Sequence, residues 1–169
     1  MPSYKTLLDE ALEAWRDVRL GLIDEVRRIP AAQFDFRPTP EVRSVRQLVV
    51  HILEVALMMT GELCRPDTDF HRKPWPRLLN MYAREAYRAK RKSELIRLLR
   101  SQLRDAEKRF REAGELHLLQ FIERFDGLPG TRLAWLHHGI AQEMYHRGQL
   151  TLYERLLGIE PALTEKIRG

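Results

Sequence analysis

Three polar side chains follow one another at four-residue steps in the last third of the chain. His138, Gln142 and His146 are spaced i, i+4 and i+8, so they stack along one face if this segment is an α-helix. Neutral imidazole is a good ligand for Zn²⁺, Ni²⁺, Cu²⁺ or Fe²⁺. His51, on a separate apolar segment, is available as a further ligand from a facing helix. The spacing therefore indicates a divalent metal site in the core of a helical protein, the alternative being that these are core histidines hydrogen-bonded within the bundle.

The helix that must carry these side chains is predicted over residues 131–157, with Gly158 as its C-terminal stop. A helical wheel divides it into two sides. The side predicted to face the core contains Trp135, Leu152, Tyr153 and Leu156. The side predicted to face solvent contains Glu143, Arg147 and Glu154. The apolar arc also contains His138, Gln142, His146 and Gln149. Burying a polar group without a partner costs about 1–3 kcal/mol, so we expect these four side chains to meet something polar.

Two earlier segments show the same three- and four-residue spacing of apolar side chains. The first helix is predicted to begin after Ser3, a candidate N-cap, and to be stopped by Pro30. The second is predicted to begin at Ser44, because Gln47 three residues later completes a capping box.

A third amphipathic helix is predicted from Ser93, a candidate cap, to about Gly114. A short helical piece is predicted near residues 78–87, and a short helix or extended piece over 116–125. No run alternates with period two for long enough to require a sheet. The expected fold is therefore all-α, a four-helix bundle in a single domain over residues 1–169.

Positive charge is concentrated in one part of the chain. The net charge is +5, and between residues 72 and 111 there are 14 Lys and Arg against 4 Asp and Glu. Such a block can attract nucleic acid or acidic partners. No recognised nucleic-acid motif accompanies it, so nucleic acid is not the expected partner.

The expected location is the cytoplasm. Cys64 is the single cysteine, which favours a reducing compartment. The start of the chain lacks the apolar core of a signal peptide. The longest apolar run is too short to span a bilayer, so no membrane association is expected.

Two segments resemble the motifs of the DinB/YfiT-like family. Residues 43–52 read RSVRQLVVHI and are similar to the family's second-helix motif, and residues 136–150 read LHHGIAQEMYHRGQL and are similar to its fourth-helix motif. The resemblance implies a four-helix bundle, a homodimer, and a divalent metal such as Zn²⁺ or Ni²⁺ held by three histidines. One family histidine matches His51. The other two form an H-x-x-x-H pair whose second member matches His146.

The chain departs from this pattern where the first histidine of the pair falls on Gln142. Three outcomes stay open. Gln142 ligates the metal through its amide oxygen, which is a weaker and harder ligand than imidazole. Alternatively His138, one turn earlier, reaches the metal, or the site has lost its metal and kept the pocket.

The resemblance implies a metal-dependent enzyme with a small-molecule substrate. The two candidate activities are thiol S-transfer, which would use a low-molecular-weight thiol, and hydrolysis. Tyr145 and Gln149 are the candidate cofactor-binding donors, and no catalytic residue is assigned. The alternative function is a non-catalytic stress-related or ligand-binding bundle with a degenerate metal site, which Gln142 favours because it weakens that site.

Overall fold

The protein is described by a computed structural model that covers residues 5–67 and 69–168. Its helices, in chain order, are α1 (Leu7–Arg28), α2 (Val45–Leu63), α3 (Trp75–Tyr82), α4 (Arg84–Arg88), α5 (Lys92–Ala113), α6 (Glu115–Leu118), α7 (Arg132–Leu156) and α8 (Ala162–Arg168). Two short strands, β1 (Phe121–Glu123) and β2 (Pro129–Thr131), lie between α6 and α7.

The long helices α1, α2, α5 and α7 form the predicted all-α four-helix bundle. Helix α1 packs against α5 and α7, and α2 packs against the same two helices. Helices α1 and α2 therefore lie diagonally across the bundle, and α2 and α7 are neighbours. In the described part of the chain, no helix combines the length and apolarity that crossing a membrane requires.

Local capping sets most of the predicted boundaries. The Ser44 hydroxyl accepts a hydrogen bond from the N–H of Gln47, whose side chain accepts one from the N–H of Ser44, so the predicted capping box at the start of α2 is confirmed. The stops after α5 and α7 are confirmed as well. Gly114 has φ 83° and Gly158 has φ 74°, a left-handed conformation that favours glycine.

Two predicted helix starts differ from those observed. Helix α1 is capped by Thr6, whose hydroxyl accepts from the N–H of Asp9 at 3.1 Å; the predicted cap, Ser3, lies outside the described residues. Helix α5 begins at Lys92 rather than after Ser93. It starts there because the Glu94 carboxylate accepts hydrogen bonds from two backbone N–H groups just ahead of the helix.

The connections contain more structure than was predicted. Residues 78–87 fall in two short helices, α3 and α4, and residues 116–125 contain both most of α6 and β1. Strand β1 pairs antiparallel with β2 in a hairpin that leads directly into α7. Helix α8, which packs on α1, was not predicted.

The solvent-facing side predicted for α7 is wrong, because Glu143, Arg147 and Glu154 are all buried. Glu143 accepts hydrogen bonds from Arg19 Nε at 2.8 Å and from Trp15 Nε1 at 2.7 Å. The Arg19 side chain is fully buried. This ion pair crosses the middle of the bundle, between the two apolar clusters that form the core.

A second buried polar cluster joins α7 to α1 and α8. Arg147 donates to Glu25 Oε1 at 3.1 Å, and the other Glu25 oxygen accepts from the N–H of Ala162 at 2.6 Å. Burial and the neighbouring Glu25 carboxylate raise the pKa of Glu154 to about 8. Glu154 is therefore mostly protonated at neutral pH, which relieves repulsion between the two carboxyl groups.

The core-facing side predicted for α7 is wrong in part. Tyr153 is buried and Trp135 is half-buried, but Leu152 is 52 % exposed and Leu156 is 56 % exposed. Glu143 and Arg147 occupy inner positions because each finds a partner on α1, whereas the two leucines take outer positions.

Candidate metal centre

Helices α2 and α7 bring His51 and His146 into contact. Their ring centroids lie 4.9 Å apart, with the ring planes at 83°. Two imidazoles that share a zinc ion at about 2.0–2.1 Å have centroids on the order of 5 Å apart. The sequence placed these two histidines on facing helices, and the fold brings them to a spacing suited to one ion.

Each histidine has its Nδ1 atom held by an oxygen acceptor one turn along its own helix. His51 Nδ1 lies 2.6 Å from Glu54 Oε1, and His146 Nδ1 lies 2.7 Å from Gln149 Oε1. Because both partners are acceptors, Nδ1 carries the hydrogen and Nε2 keeps its lone pair. This arrangement is typical of metal-binding histidines, whose second ring nitrogen donates to an outer acceptor.

The charges around the two rings keep that arrangement in place at neutral pH. Burial lowers the pKa of His146, and the neighbouring His51 and Arg43 lower it further, so this ring stays neutral. Burial raises the pKa of Glu54, but hydrogen bonds from His51 and Tyr87 outweigh it and the net pKa is lowered. Glu54 is thus an anionic acceptor that fixes the orientation of His51.

The Gln142 side chain on α7 is half-buried. Among the described residues, neither Oε1 nor Nε2 of this amide finds a donor or an acceptor, although both atoms are inaccessible to solvent. Buried amide groups in proteins are nearly always hydrogen-bonded. The Gln142 oxygen is therefore free to take a ligand that the protein itself does not supply.

The other predicted site residues lie further out. His138 is exposed, contrary to its predicted place inside the apolar arc, and its ring packs at a tilt against Trp135 with centroids 4.9 Å apart. It lines the same apolar cavity as Gln142 and His51. Tyr145 is 65 % exposed, and its ring contacts the His146 ring at 5.1 Å.

The donor set at this point is two imidazoles and one amide. Across residues 5–67 and 69–168, no three His, Cys, Asp or Glu side chains converge as a metal site would need. Gln142, whose amide oxygen has no partner among the described residues, lies one turn from His146 and lines a cavity with His51, so it is the candidate third donor. His51, His146 and Gln142 fit a divalent transition metal, with an affinity lowered by the neutral amide.

An apolar cavity of about 200 Å³ opens beside His51. Its wall includes Trp75 and Trp135, which the chain brings together from α3 and α7. Phe125 from the hairpin packs against both, with centroids 4.4 Å from Trp75 and 5.6 Å from Trp135. Trp135 Nε1 is buried and, within the described part, without an acceptor.

A second, more open cavity of about 790 Å³ lies on the other side of His51. It is lined by Arg37, Arg43 and Arg46 from the start of α2 and the segment before it, together with Glu54 and Gln149. The candidate metal centre thus stands between a small apolar cavity and a larger basic one.

Three features of this site were missed at the sequence level. The Glu54 partner of His51 lies at i+3 on the same helix, a spacing that could have been read from the sequence. The pairing of Trp75 with Trp135, and the cavity that Arg37, Arg43 and Arg46 share with α7, could not, because segments distant in sequence assemble them.

Comparisons with known proteins agree with this architecture. The YfiT protein of Bacillus subtilis, described as a probable metal-dependent hydrolase with an unusual four-helix bundle topology, has a TM-score of 0.73 at 16 % identity, over 95 % of this chain and 93 % of that one. The DinB-like protein YjoA of the same organism has a TM-score of 0.66 at 17 % identity, over 88 % of this chain and 92 % of that one.

At these identities the two structures show a shared fold. Among curated proteins, none matches the chain significantly. The family model described as "DinB family" matches residues 1–168. The chain therefore belongs to the DinB family.

Proposed function

We propose that this protein is a divalent-metal-dependent hydrolase that acts on a small molecule, with His51, His146 and Gln142 as the metal ligands. One observation carries the proposal. Two facing imidazoles have their Nδ1 atoms held by Glu54 and Gln149, and the Gln142 amide beside them is buried without a partner in the part of the chain that the structure describes. The description of YfiT as a probable metal-dependent hydrolase supports it further.

A bound divalent metal would supply Lewis acidity, which polarises a substrate oxygen and lowers the pKa of a water nucleophile. The residues of the chain position this chemistry. Glu54 and Gln149 fix the orientation of the two rings, and the Tyr87 hydroxyl holds Glu54 in turn. Trp75 and Trp135 line the apolar side of the centre.

Thiol S-transfer by a low-molecular-weight thiol is the second candidate, and the basic cavity favours it. Arg37 and Arg43 line a space that would take a thiol bearing a carboxylate. Burial raises the pKa of the Cys64 thiol and makes it a poor nucleophile, so a thiol reaction would need a diffusible thiol.

The test uses tag-free protein stripped with chelator and then reloaded with Zn²⁺ or Ni²⁺. We expect the metal to raise the melting temperature of the wild type, because a ligand of the native state stabilises it. The increase should be lost in His51→Ala and His146→Ala and kept in His137→Ala, an exposed histidine on the same helix.

Activity is then assayed with the loaded protein on 4-nitrophenyl esters, and separately on an electrophile with a carboxylate-bearing thiol. Metal-dependent ester cleavage supports hydrolysis, and metal-dependent thiol consumption supports the second candidate instead. If the metal does not shift the melting temperature and neither reaction occurs, the proposal is wrong. The protein is then a ligand-binding bundle with a degenerate metal site.

A further inference from the structure

The two cavities meet at one residue. His51 lines both the apolar cavity of about 200 Å³ and the basic cavity of about 790 Å³. Ligand-binding pockets usually have volumes of about 300–1,000 Å³. The apolar cavity alone is too small for a whole substrate, but it is ample for one ring, because a cavity of about 150 Å³ can hold benzene.

The basic cavity presents two uncommitted guanidinium groups. Within the described part of the chain, the Arg37 and Arg43 side chains make no hydrogen bond or ion pair. Arg46, the third arginine, is already paired with Asp35 at 2.8 Å. Among the described residues, this cavity contains two acidic side chains, the exposed Glu41 and Glu54. Within the described residues, the unpaired positive charges of Arg37 and Arg43 therefore outnumber the unpaired negative charge of Glu41.

Arg43 is held close to the candidate metal centre. The Tyr153 hydroxyl donates to the Arg43 carbonyl oxygen at 2.9 Å, which ties this backbone position to α7. Arg37 and Arg43 line the same cavity as His51 and its hydrogen-bond partner Glu54. Both guanidinium groups therefore belong to residues at the edge of the candidate metal centre.

The apolar cavity offers hydrogen-bonding groups where it meets His51. Among the described residues, Trp135 Nε1 and the Gln142 amide are buried without partners, and they share this cavity with Val55 and Met59. A ligand that fills the cavity with hydrocarbon alone would leave these polar groups unsatisfied, at a cost of about 1–3 kcal/mol each. The ligand must therefore carry an acceptor next to its apolar part.

The distance between the two cavities follows from α2. Gln47 lines the basic cavity and Val55 the apolar one, with His51 midway between them. Eight residues of α-helix rise about 12 Å. The acidic and apolar ends of a ligand that occupies both cavities must then be separated by a spacer of several bonds.

We infer that the substrate is a single amphipathic organic anion. Its carboxylate or phosphate binds Arg37 and Arg43, its ring or branched alkyl group lies between Trp75 and Trp135, and the bond to be cleaved lies over His51. The assignment of that bond rests on the proposed function, whereas the binding mode does not require the metal.

The test measures the binding of ω-phenylalkanoates, from 3-phenylpropanoate to 8-phenyloctanoate, to metal-free and to metal-loaded protein. Calorimetry and tryptophan fluorescence give Kd, and ω-phenylalkanols of equal length serve as uncharged controls. We expect an optimum chain length at which the acid binds about tenfold more tightly than the alcohol, as charge-assisted hydrogen bonds would give.

Substitutions test which residues bind the acidic end and the apolar end of the ligand. Arg37→Gln/Arg43→Gln should weaken the acid about tenfold and leave the alcohol within about twofold. Arg97→Gln, an exposed arginine on α5, is the matched control and should change neither. Gly139→Leu, which places a side chain against Met59 in the apolar cavity, should weaken long acids and leave acetate unchanged.

Equal affinity for acid and alcohol, or affinity independent of chain length, would overturn the inference. The inference is also overturned if propanoate and toluene bind at the same time and the optimal long acid competes with neither. Two separate ligands would then occupy the two cavities. A metal-induced rise in melting temperature with no acid preference leaves the proposed function intact. An acid preference without metal binding supports the substrate class and refutes the metal-dependent reaction.

Discussion

Replacing Glu143 with leucine removes the carboxylate that neutralises Arg19 in the middle of the bundle. Arg19 is fully buried and donates from Nε to Glu143 at 2.8 Å. Its Nη1 also donates to the Leu99 carbonyl at 2.8 Å and to Gln102 Oε1 at 2.7 Å, so the guanidinium group has no route to solvent. Glu143→Leu would leave an uncompensated buried charge.

The expected cost is about 3–5 kcal/mol, as for other buried ion pairs that lose one partner. With an m value of about 2 kcal/mol/M, the urea midpoint should fall by roughly 2 M. The double variant Arg19→Met/Glu143→Leu should recover most of this loss, because apolar side chains of similar volume often replace a buried ion pair at little cost. The assay is urea unfolding followed by circular dichroism.

Glu13→Leu is the matched control, since Glu13 is exposed on α1. It should change the free energy of unfolding by no more than about 0.5 kcal/mol. The reasoning is refuted if Glu143→Leu costs no more than this control, which would place Glu143 in solvent as the helical wheel predicts. It is also refuted if the double variant is as unstable as the single one.

Three further outcomes are expected. Burial and the Glu25 carboxylate raise the pKa of Glu154 from its ordinary 4.5 to about 8, so the folded protein holds an extra proton between these values. Stability should therefore fall as the pH rises from about 5 to 8, and Glu154→Gln should flatten this trend in urea midpoints. Gln142→His should tighten Zn²⁺ binding on the order of tenfold or more by competition with a chelating dye, because imidazole is the better ligand; unchanged affinity would exclude Gln142 as a ligand. Tyr153→Phe removes the hydrogen bond to the Arg43 carbonyl and should cost about 1 kcal/mol in urea unfolding, and a loss below about 0.3 kcal/mol would contradict that contact.

Local signals were sufficient for most of the fold. The capping box of Ser44 and Gln47 and the glycines at 114 and 158 set helix ends through contacts within a few residues, so the sequence could specify them. Four amphipathic segments then sufficed to predict a bundle, since each must bury its apolar face. Helix α8 was not predicted, because its start is fixed by a hydrogen bond to the Glu25 carboxylate, 137 residues away in the sequence.

Helix α7 shows where pattern reasoning fails. A wheel assigns charged residues to solvent, but Glu143 and Arg147 find partners on α1 that no local pattern reveals. The same limit applies at the site. His51 and His146 could be paired from the sequence, whereas the exposure of His138 depends on how α7 rotates to bury its acidic side chains. The homodimer and the cytoplasmic location stay predictions.

The most direct test of the metal centre is elemental analysis of tag-free protein. Wild type, His146→Ala and His137→Ala are purified in parallel, and transition metals are measured by mass spectrometry before and after incubation with Zn²⁺ or Ni²⁺. We expect close to one equivalent of metal in wild type and His137→Ala, and loss of that metal in His146→Ala. Wild-type protein that carries no metal and takes up none, or a His146→Ala variant that binds as much, would contradict it.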